Sequence, residues 1–307
     1  MASLPKLADE LATIRDWIRY AVSQFEASDI FYGHGTDNSY DEAVWLIMSS
    51  LHLPTETLEN FLDATITAKE CKQLAYLIEQ RVTKHTPTAY LVREAWLQDF
   101  KFYVDERVIV PRSFIAELLF ADSLSPWIEF PEMVGSVADI CTGSGCLGIL
   151  LAHAYPNATI DIGDISADAI AVSNINIANY GLEKQITAIQ SDMFSALKSP
   201  DNKLKTYDVI VSNPPYVDAA SMALLPSEYQ NEPQLALGSG SAGLDHTHTL
   251  LRDAADYLSD EGVLIVEIGH NREALLEAYP NTAFTWLEVA AGNQFVFLLT
   301  KAQLQTV

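Results

Sequence analysis

The chain is short of positive charge. Eighteen lysines and arginines stand against 41 aspartates and glutamates, a formal net charge of −23 over 307 residues. Direct binding to a nucleic-acid backbone needs basic patches that displace counterions, so this balance argues against DNA or RNA as a direct partner. It favours a basic partner drawn in by long-range attraction, although a generally acidic proteome, as in a saline habitat, would give the same figure. Cysteine is scarce too. Cys71, Cys141 and Cys146 cannot build a disulfide framework, and the Cys141–Cys146 spacing is not that of a zinc pair. A reducing, cytoplasmic setting is expected, with no metal site. No apolar run approaches a membrane span, and Met1 to Phe25 lacks the apolar core of a signal peptide. There is no internal repeat and no Pro-, Gly- or Ser-rich linker. What the chain has in quantity is apolar residues, 49% of the total, enough for a sizeable core in one large or two modest domains.

One stretch organises the rest: Val209-Ile210-Val211-Ser212-Asn213-Pro214-Pro215-Tyr216. The apolar run reads as a buried parallel strand. Two prolines then end any ladder or helix, because neither has an N–H and each fixes its φ. A stiff, non-helical segment follows a strand's carboxyl end, which is where open α/β sheets place their ligands. Asn213 offers a side-chain carbonyl, Pro214 a main-chain carbonyl and Tyr216 a flat ring. Two acceptors and a stacking face suit a planar NH2 group. A plain strand-terminating turn is the competing reading.

Before this stretch the chain changes period. Leu7, Leu11, Ile14, Trp17, Ile18, Ala21, Val22 and Phe25 share one helical stripe over 7–26. Helices are predicted again over 40–51 and 56–62, and from a Thr67/Glu70 capping box to about Thr83. His34, His52 and His85 are scattered through this part and read as structural or solvated. Phe100, Phe102 and Val104 then alternate with polar neighbours. Asp105-Glu106 is expected to turn the chain into Arg107–Val110 as a β-hairpin. Ser113 reads as the N-cap of a helix over 113–123.

From Ser136 onward strands and helices alternate. Strands are predicted at 137–141, 159–164, 186–190, 208–212, 262–268, 283–288 and 294–300, with helices near 147–155, 167–180, 246–259 and 271–279. The fold class is therefore α/β: a doubly wound, mostly parallel seven-stranded sheet. The last two strands have too short a connection for a crossover and should pair antiparallel. The domains expected are 1–90 helical, 91–112 hairpin linker and 113–307 α/β.

The first strand of that sheet leads into Asp139-Ile140-Cys141-Thr142-Gly143-Ser144-Gly145-Cys146-Leu147-Gly148. Glycines allow a tight turn and close ligand approach, and the following helix N-terminus favours an anion. Asp164 ends the second strand, where an acidic side chain suits ribose hydroxyls. Gly143-x-Gly145-x-x-Gly148 also matches the dinucleotide fingerprint, so a nicotinamide enzyme competes at this point. After the third strand, Asp192 is placed to accept from an adenine amino group, with Met193 or Phe194 covering the ring. Asp245-His246-x-His248 has a metal-like spacing but reads as a helix cap with exposed histidines.

Taken together, the Gly loop, Asp164, Ser191-Asp192 and Asn213-Pro214-Pro215-Tyr216 resemble the class I S-adenosylmethionine-dependent methyltransferases, above all the HemK-type protein-glutamine N5-methyltransferases. The likeness extends over 102–113 and over Glu232-Pro233-x-x-Ala236-Leu237-x-Ser239-Gly240. Two branches of that family differ after the hairpin. Pro111-Arg112-Ser113-Phe114-Ile115, Cys141, Val217-Asp218 and Leu225-Pro226-Ser227-Glu228-Tyr229 are similar to the branch acting on the third large-subunit ribosomal protein. Ala242 departs from the family's usual Asp. The resemblance implies S-adenosyl-L-methionine as cofactor, with S-adenosyl-L-homocysteine as product. It implies cofactor contacts at Asp139, Cys141, Thr142, Gly143, Ser144, Gly145, Asp164, Asp192, Met193 and Asn213. Catalysis falls to Asn213, Pro214 and Tyr216, and substrate binding to these with Pro215. The helical part and the hairpin are expected to help bind a basic ribosomal protein. The alternatives are the release-factor branch, then a DNA adenine-N6 methyltransferase, whose amino group the same motif would suit, and a non-enzymatic interaction module. The sequence is silent on the target glutamine and on oligomeric state.

Overall fold

The structure is a computed structural model and describes residues 10–198 and 201–307. The chain divides into two compact units. One comprises Met1–Ala95 with Leu225–Glu232, and the other Trp96–Leu224 with Pro233–Val307.

In the helical unit, the first long helix among the described residues is Ile14–Glu26. The apolar stripe read from residue 7 does not extend the helix that far. Thr13 caps it, its hydroxyl accepting from Asp16 N while the Asp16 carboxylate accepts from Thr13 N at 2.9 Å; Leu7 lies outside the described residues. The expected Thr67/Glu70 capping box opens Ala68–Lys84, which ends where His85 turns left-handed. With Ser39–Ser50 these helices bury Trp17, Phe25, Leu46, Ile47, Met48 and Leu74 in one core.

That unit also buries charge. Arg81 donates to Glu42 at 2.7 Å, to Glu228 at 2.9 Å and to the Phe31 carbonyl at 3.0 Å. Glu228 further accepts from Phe31 N at 3.0 Å and lies 3.1 Å from His85 Nδ1. Thr36 and Thr88 hydroxyls donate to Glu42. Leu225–Glu232 is thus held in the helical unit although it lies far along the sequence.

In the other unit, strands β3 (Ser136–Ile140), β4 (Thr159–Asp164), β5 (Ile186–Gln190), β6 (Tyr207–Ser212), β7 (Leu258–Glu267), β8 (Thr285–Val289) and β9 (Gly292–Thr300) form one sheet in the order β5-β4-β3-β6-β7-β9-β8. β3 to β7 pair parallel, and β9 pairs antiparallel with both β7 and β8. Each central strand is apolar on both faces. Val209 and Val211 join Ile149, Leu150 and Ile162 on one side, while Ile210 joins Leu250, Leu264 and Phe297 on the other. The winding runs outward from β3 through β4 to β5, then jumps back to β6. The strand order therefore reverses between β3 and β6, where such sheets open a crevice at their carboxyl ends.

The hairpin is not where the sequence suggested. β1 (Ala95–Leu97) pairs with β2 (Phe100–Phe102) through a turn in which Gln98 takes φ +52°. Residues 107–110 form no strand. Asp105 prevents it by taking Arg107 Nε at 2.8 Å, Arg107 Nη2 at 2.6 Å and Arg107 N at 3.1 Å, while Val108 N bonds the Asp105 carbonyl. Arg107 holds the Asp105 carboxyl down at about 2. Tyr103 bonds a helix side chain instead of a strand: its N–H donates to Asn176 Oδ1 at 2.7 Å, and its carbonyl accepts from Asn176 Nδ2 at 3.0 Å.

Candidate active site

Beyond the carboxyl ends of β3, β4, β5 and β6 lies a pocket. Cys141, Gly143, Asp164, Asp192, Met193, Asn213 and Pro215 line it, and all seven were singled out from the sequence. The register Ile140↔Ser212 brings the Gly loop and the Asn-Pro-Pro-Tyr segment side by side.

The glycines of the loop do different things. Gly143, at φ +58°, would meet nothing within 4 Å if it carried a Cβ, so its open side faces free space. A Cβ at Gly145 would sit 2.8 Å from Ser173 Cβ on the helix Ala167–Tyr180, and one at Gly148 only 2.4 Å from Ile162 Cγ2 on β4. The first glycine is needed for close approach to a neighbouring helix and the second for packing of helix on sheet. Asp139 does not line the pocket. It is fully buried beneath the loop, accepting from the Thr142 hydroxyl and from Gly148 N at 3.0 Å. Its second oxygen has no partner among the described residues, and burial lifts the carboxyl to about 7. Thr142, Ser144 and Gly145 likewise shape the loop from below, and Asn176 donates to the Ser144 carbonyl at 2.8 Å.

Asp164 accepts from Gly143 N and from Ser166 N, each at 2.9 Å. Each oxygen keeps a lone pair for a further donor. Burial raises this carboxyl, so hydroxyl donors from a ligand would be welcome there. Cys141 and Met193 both sit at left-handed φ, +62° and +48°, with their sulfurs 3.9 Å apart.

Asn213 donates from Nδ2 to the Arg112 carbonyl at 3.1 Å, and its Oδ1 is buried with no partner among the described residues. Pro214 is buried. The Tyr216 ring lies against Gly269, where a Cβ would come within 2.6 Å of the ring, and its carbonyl accepts from Asn271 Nδ2 at 2.7 Å. Pro214 and Tyr216 are not pocket-lining residues but flank Asn213 and Pro215 in the chain.

A family model described as "Methyltransferase small domain" matches residues 122–225. The chain is 55% identical over 297 residues to a protein named ribosomal protein uL3 glutamine methyltransferase from Neisseria gonorrhoeae, covering 97% of each. Proteins of the same name are 49% identical in Burkholderia pseudomallei, covering 96% of each, and 49% identical in Bordetella pertussis, covering 97% of this chain and 98% of that one. The chain belongs to the ribosomal protein uL3 glutamine methyltransferase family. It is a methyltransferase, on the class I fold that its sheet order displays.

Several residues of this methyltransferase site were not legible beforehand. Arg107, Val108 and Ile109 form one pocket wall because the segment after β2 loops instead of pairing. Ser113 is not merely a cap. Its Oγ accepts from Ile115 N at 3.2 Å at the start of the helix Ile115–Leu119, the cap-type bond expected of it, while its hydroxyl donates to Glu267 Oε2 at 2.7 Å, as Phe114 N does at 2.9 Å. Glu267 ends β7, and its burial raises the carboxyl to about 7. It thereby holds the turn whose Arg112 carbonyl orients Asn213. His246 and His248 are not exposed cap residues either. His246 lines the pocket, and His248 Nδ1 lies 2.7 Å from the Tyr279 hydroxyl. Among the described residues there is no group of three metal-ligating side chains, and no helix long and apolar enough to cross a membrane.

Proposed function

We propose that this methyltransferase moves a methyl group from S-adenosyl-L-methionine to the side-chain amide nitrogen of a glutamine in the large-subunit ribosomal protein uL3. The observation that carries the reading is Asn213: one end of its amide is committed to Arg112, and the other is a buried acceptor without a donor among the described residues. A substrate amide NH2 supplies that donor, and the Pro214 carbonyl takes the second hydrogen. The pocket suits the cofactor. Gly143 leaves room beside the loop, Asp164 has free lone pairs for ribose hydroxyls, Asp192 is an acceptor for an adenine amino group, and Met193 is apolar cover.

Bound there, the cofactor supplies an electrophilic methyl group on a sulfonium sulfur. An amide nitrogen is a weak nucleophile because its lone pair is delocalised into the carbonyl. Asn213 Oδ1 and the Pro214 carbonyl hold its two hydrogens and turn the lone pair towards the pocket. As positive charge grows on the nitrogen, both acceptors bind the transition state more strongly than the ground state. Tyr216, set by Gly269 and Asn271, keeps the amide plane in register. The nitrogen is acidic while cationic and loses its proton late, so no strong base is required.

The net charge of −23 suits a basic ribosomal protein as substrate and opposes DNA; such a reaction belongs in the cytoplasm. Incubating the purified protein with methyl-labelled cofactor and either uL3 or a release factor tests the assignment. Label on a glutamine of uL3 is the expected result. Label on the release factor alone would move the chain to the sister activity, and transfer to neither would sink the reading. Raising the salt should slow association with uL3.

A further inference from the structure

His246 is the second residue of the helix Asp245–Tyr257 and forms part of the pocket wall with Asp192, Met193, Leu235 and Ala236. Its ring tautomer follows from one neighbour. The Ser239 hydroxyl, itself buried, accepts from His246 N at 3.3 Å and lies 2.8 Å from His246 Nδ1. A hydroxyl has a single proton. It also has two lone pairs, one of them engaged by the main-chain N–H, and no other acceptor for its proton lies among the described residues, so the proton goes to Nδ1. Nδ1 is then an acceptor, and the ring proton sits on Nε2. No protein group among the described residues bonds Nε2. Burial favours the neutral ring.

Asp192, close enough for its charge to be felt by His246, is an acceptor only and has no side-chain hydrogen bond among the described residues. The wall therefore presents a carboxylate acceptor beside an N–H donor. The edge of adenine has the matching pattern: an amino donor flanked on each side by a ring nitrogen that only accepts. Hypoxanthine, with a carbonyl in place of the amino group, would set an oxygen against the carboxylate.

We propose that His246 reads the adenine of the cofactor, its Nε2–H donating to a ring nitrogen next to the amino group received by Asp192. This rests on the reading that the pocket takes S-adenosylmethionine, and it adds a specificity-determining residue to it.

Calorimetry with S-adenosylhomocysteine and its 1-deaza and 7-deaza analogues, each of which replaces one flanking nitrogen by C–H, tests the assignment. The wild-type protein should bind S-adenosylhomocysteine, and one of the two analogues about 10-fold more weakly, the scale of one lost hydrogen bond. His246→Leu should bind S-adenosylhomocysteine about 10-fold more weakly and lose the discrimination against that analogue. His246→Gln, which keeps an N–H donor, should lose less affinity. If His246→Leu binds as the wild type does, or keeps the full deaza penalty, this assignment fails while the cofactor reading stands. A wild-type protein that does not bind S-adenosylhomocysteine overturns both.

Discussion

Two groups of buried carboxylates, one in each unit, are held in opposite ways, although the sheet unit also has the paired Asp105–Arg107 and Asp161–Lys205. In the helical unit Arg81 sits between Glu42 and Glu228, and hydroxyls, a main-chain N–H and His85 take up much of the remaining hydrogen-bonding capacity. Burial is the largest single influence on Glu228 and works against its charge, but Arg81, the Phe31 N–H and His85 together outweigh it and the carboxyl ends below its ordinary value. In the sheet unit Asp139, Asp164 and Glu267 are held by N–H and hydroxyl donors, with no ion pair to a cationic side chain among the described residues, and all three carboxyls are raised. A buried ion pair completed by protein groups is locked, and serves architecture. A buried carboxylate or amide oxygen with capacity left over is open to a ligand. Among the described residues Asp139 and Asn213 each keep an unpartnered oxygen; that of Asp139 is sealed beneath the Gly loop, whereas Asn213 lines the pocket.

The largest effect should come from breaking the closed cluster. Arg81→Met leaves Glu42 and Glu228 buried without their cation. It should destabilise the protein by about 3–5 kcal/mol in denaturant unfolding. Adding Glu42→Gln and Glu228→Gln should restore much of the loss. If Arg81→Met alone is silent, the cluster is not the lock described.

The open site should answer in rate and not in stability. Asn213→Ala leaves the Pro-Pro segment stiff by its own covalent geometry. It should keep the fold and most cofactor affinity, yet slow methyl transfer by about 10²–10³-fold, the scale for one preorganised polar partner of a transition state. Asn213→Asp keeps an acceptor and should retain more activity than Ala. A near wild-type single-turnover rate in Asn213→Ala would reduce the segment to a turn.

Asp164→Ala should act on binding, weakening S-adenosylhomocysteine by about 1–3 kcal/mol without a comparable loss of stability. Tight binding of NAD in a parallel titration would reassign the pocket.

The smallest effect is a difference in pH dependence. Asp139 and Glu267 have ordinary values of 3.8 and 4.5 and are raised to about 7 in the fold. Between those limits the native state holds more protons than the unfolded one. Their contribution to stability is complete below the ordinary values and is lost as pH rises through about 7. Glu228, lowered, contributes above its ordinary value of 4.5 and loses that contribution as pH falls. Asp139→Asn keeps an acceptor for Thr142 and Gly148 but cannot ionise. Its melting temperature relative to wild type should therefore climb between about pH 4 and 7, and a flat difference would contradict the assignment for Asp139.

Local chemistry made much of this legible in advance. Runs rich in apolar residues and closed by turn residues mark β3 to β9, most plainly β6, whose central place in the sheet buries both its faces. The Thr67/Glu70 box marks a helix start, because its bonds join residues of one turn. The Gly loop, Asp164 and Asn213-Pro214-Pro215-Tyr216 stand out because each ends a strand, and parallel strands deliver all their carboxyl ends to one edge. Other features depended on partners remote in the chain. Alternation at 100–110 is compatible with a hairpin, and only Asn176, brought up from a later helix, and the Asp105–Arg107 pair decide against it. Ser113 reads as a cap, and its Oγ does accept from Ile115 N, but its bond to Glu267, 154 residues away, has no trace along the chain. Glu228 belongs with Arg81 across 147 residues, and no period or motif connects them. His246 looks like any exposed histidine at a helix start until Ser239 sets its tautomer and the sheet edge gives it a pocket to face. Periodicity and turn chemistry act over a few residues and can be read along the chain. Buried polar groups find their partners through space, and that pairing is settled only when the elements pack.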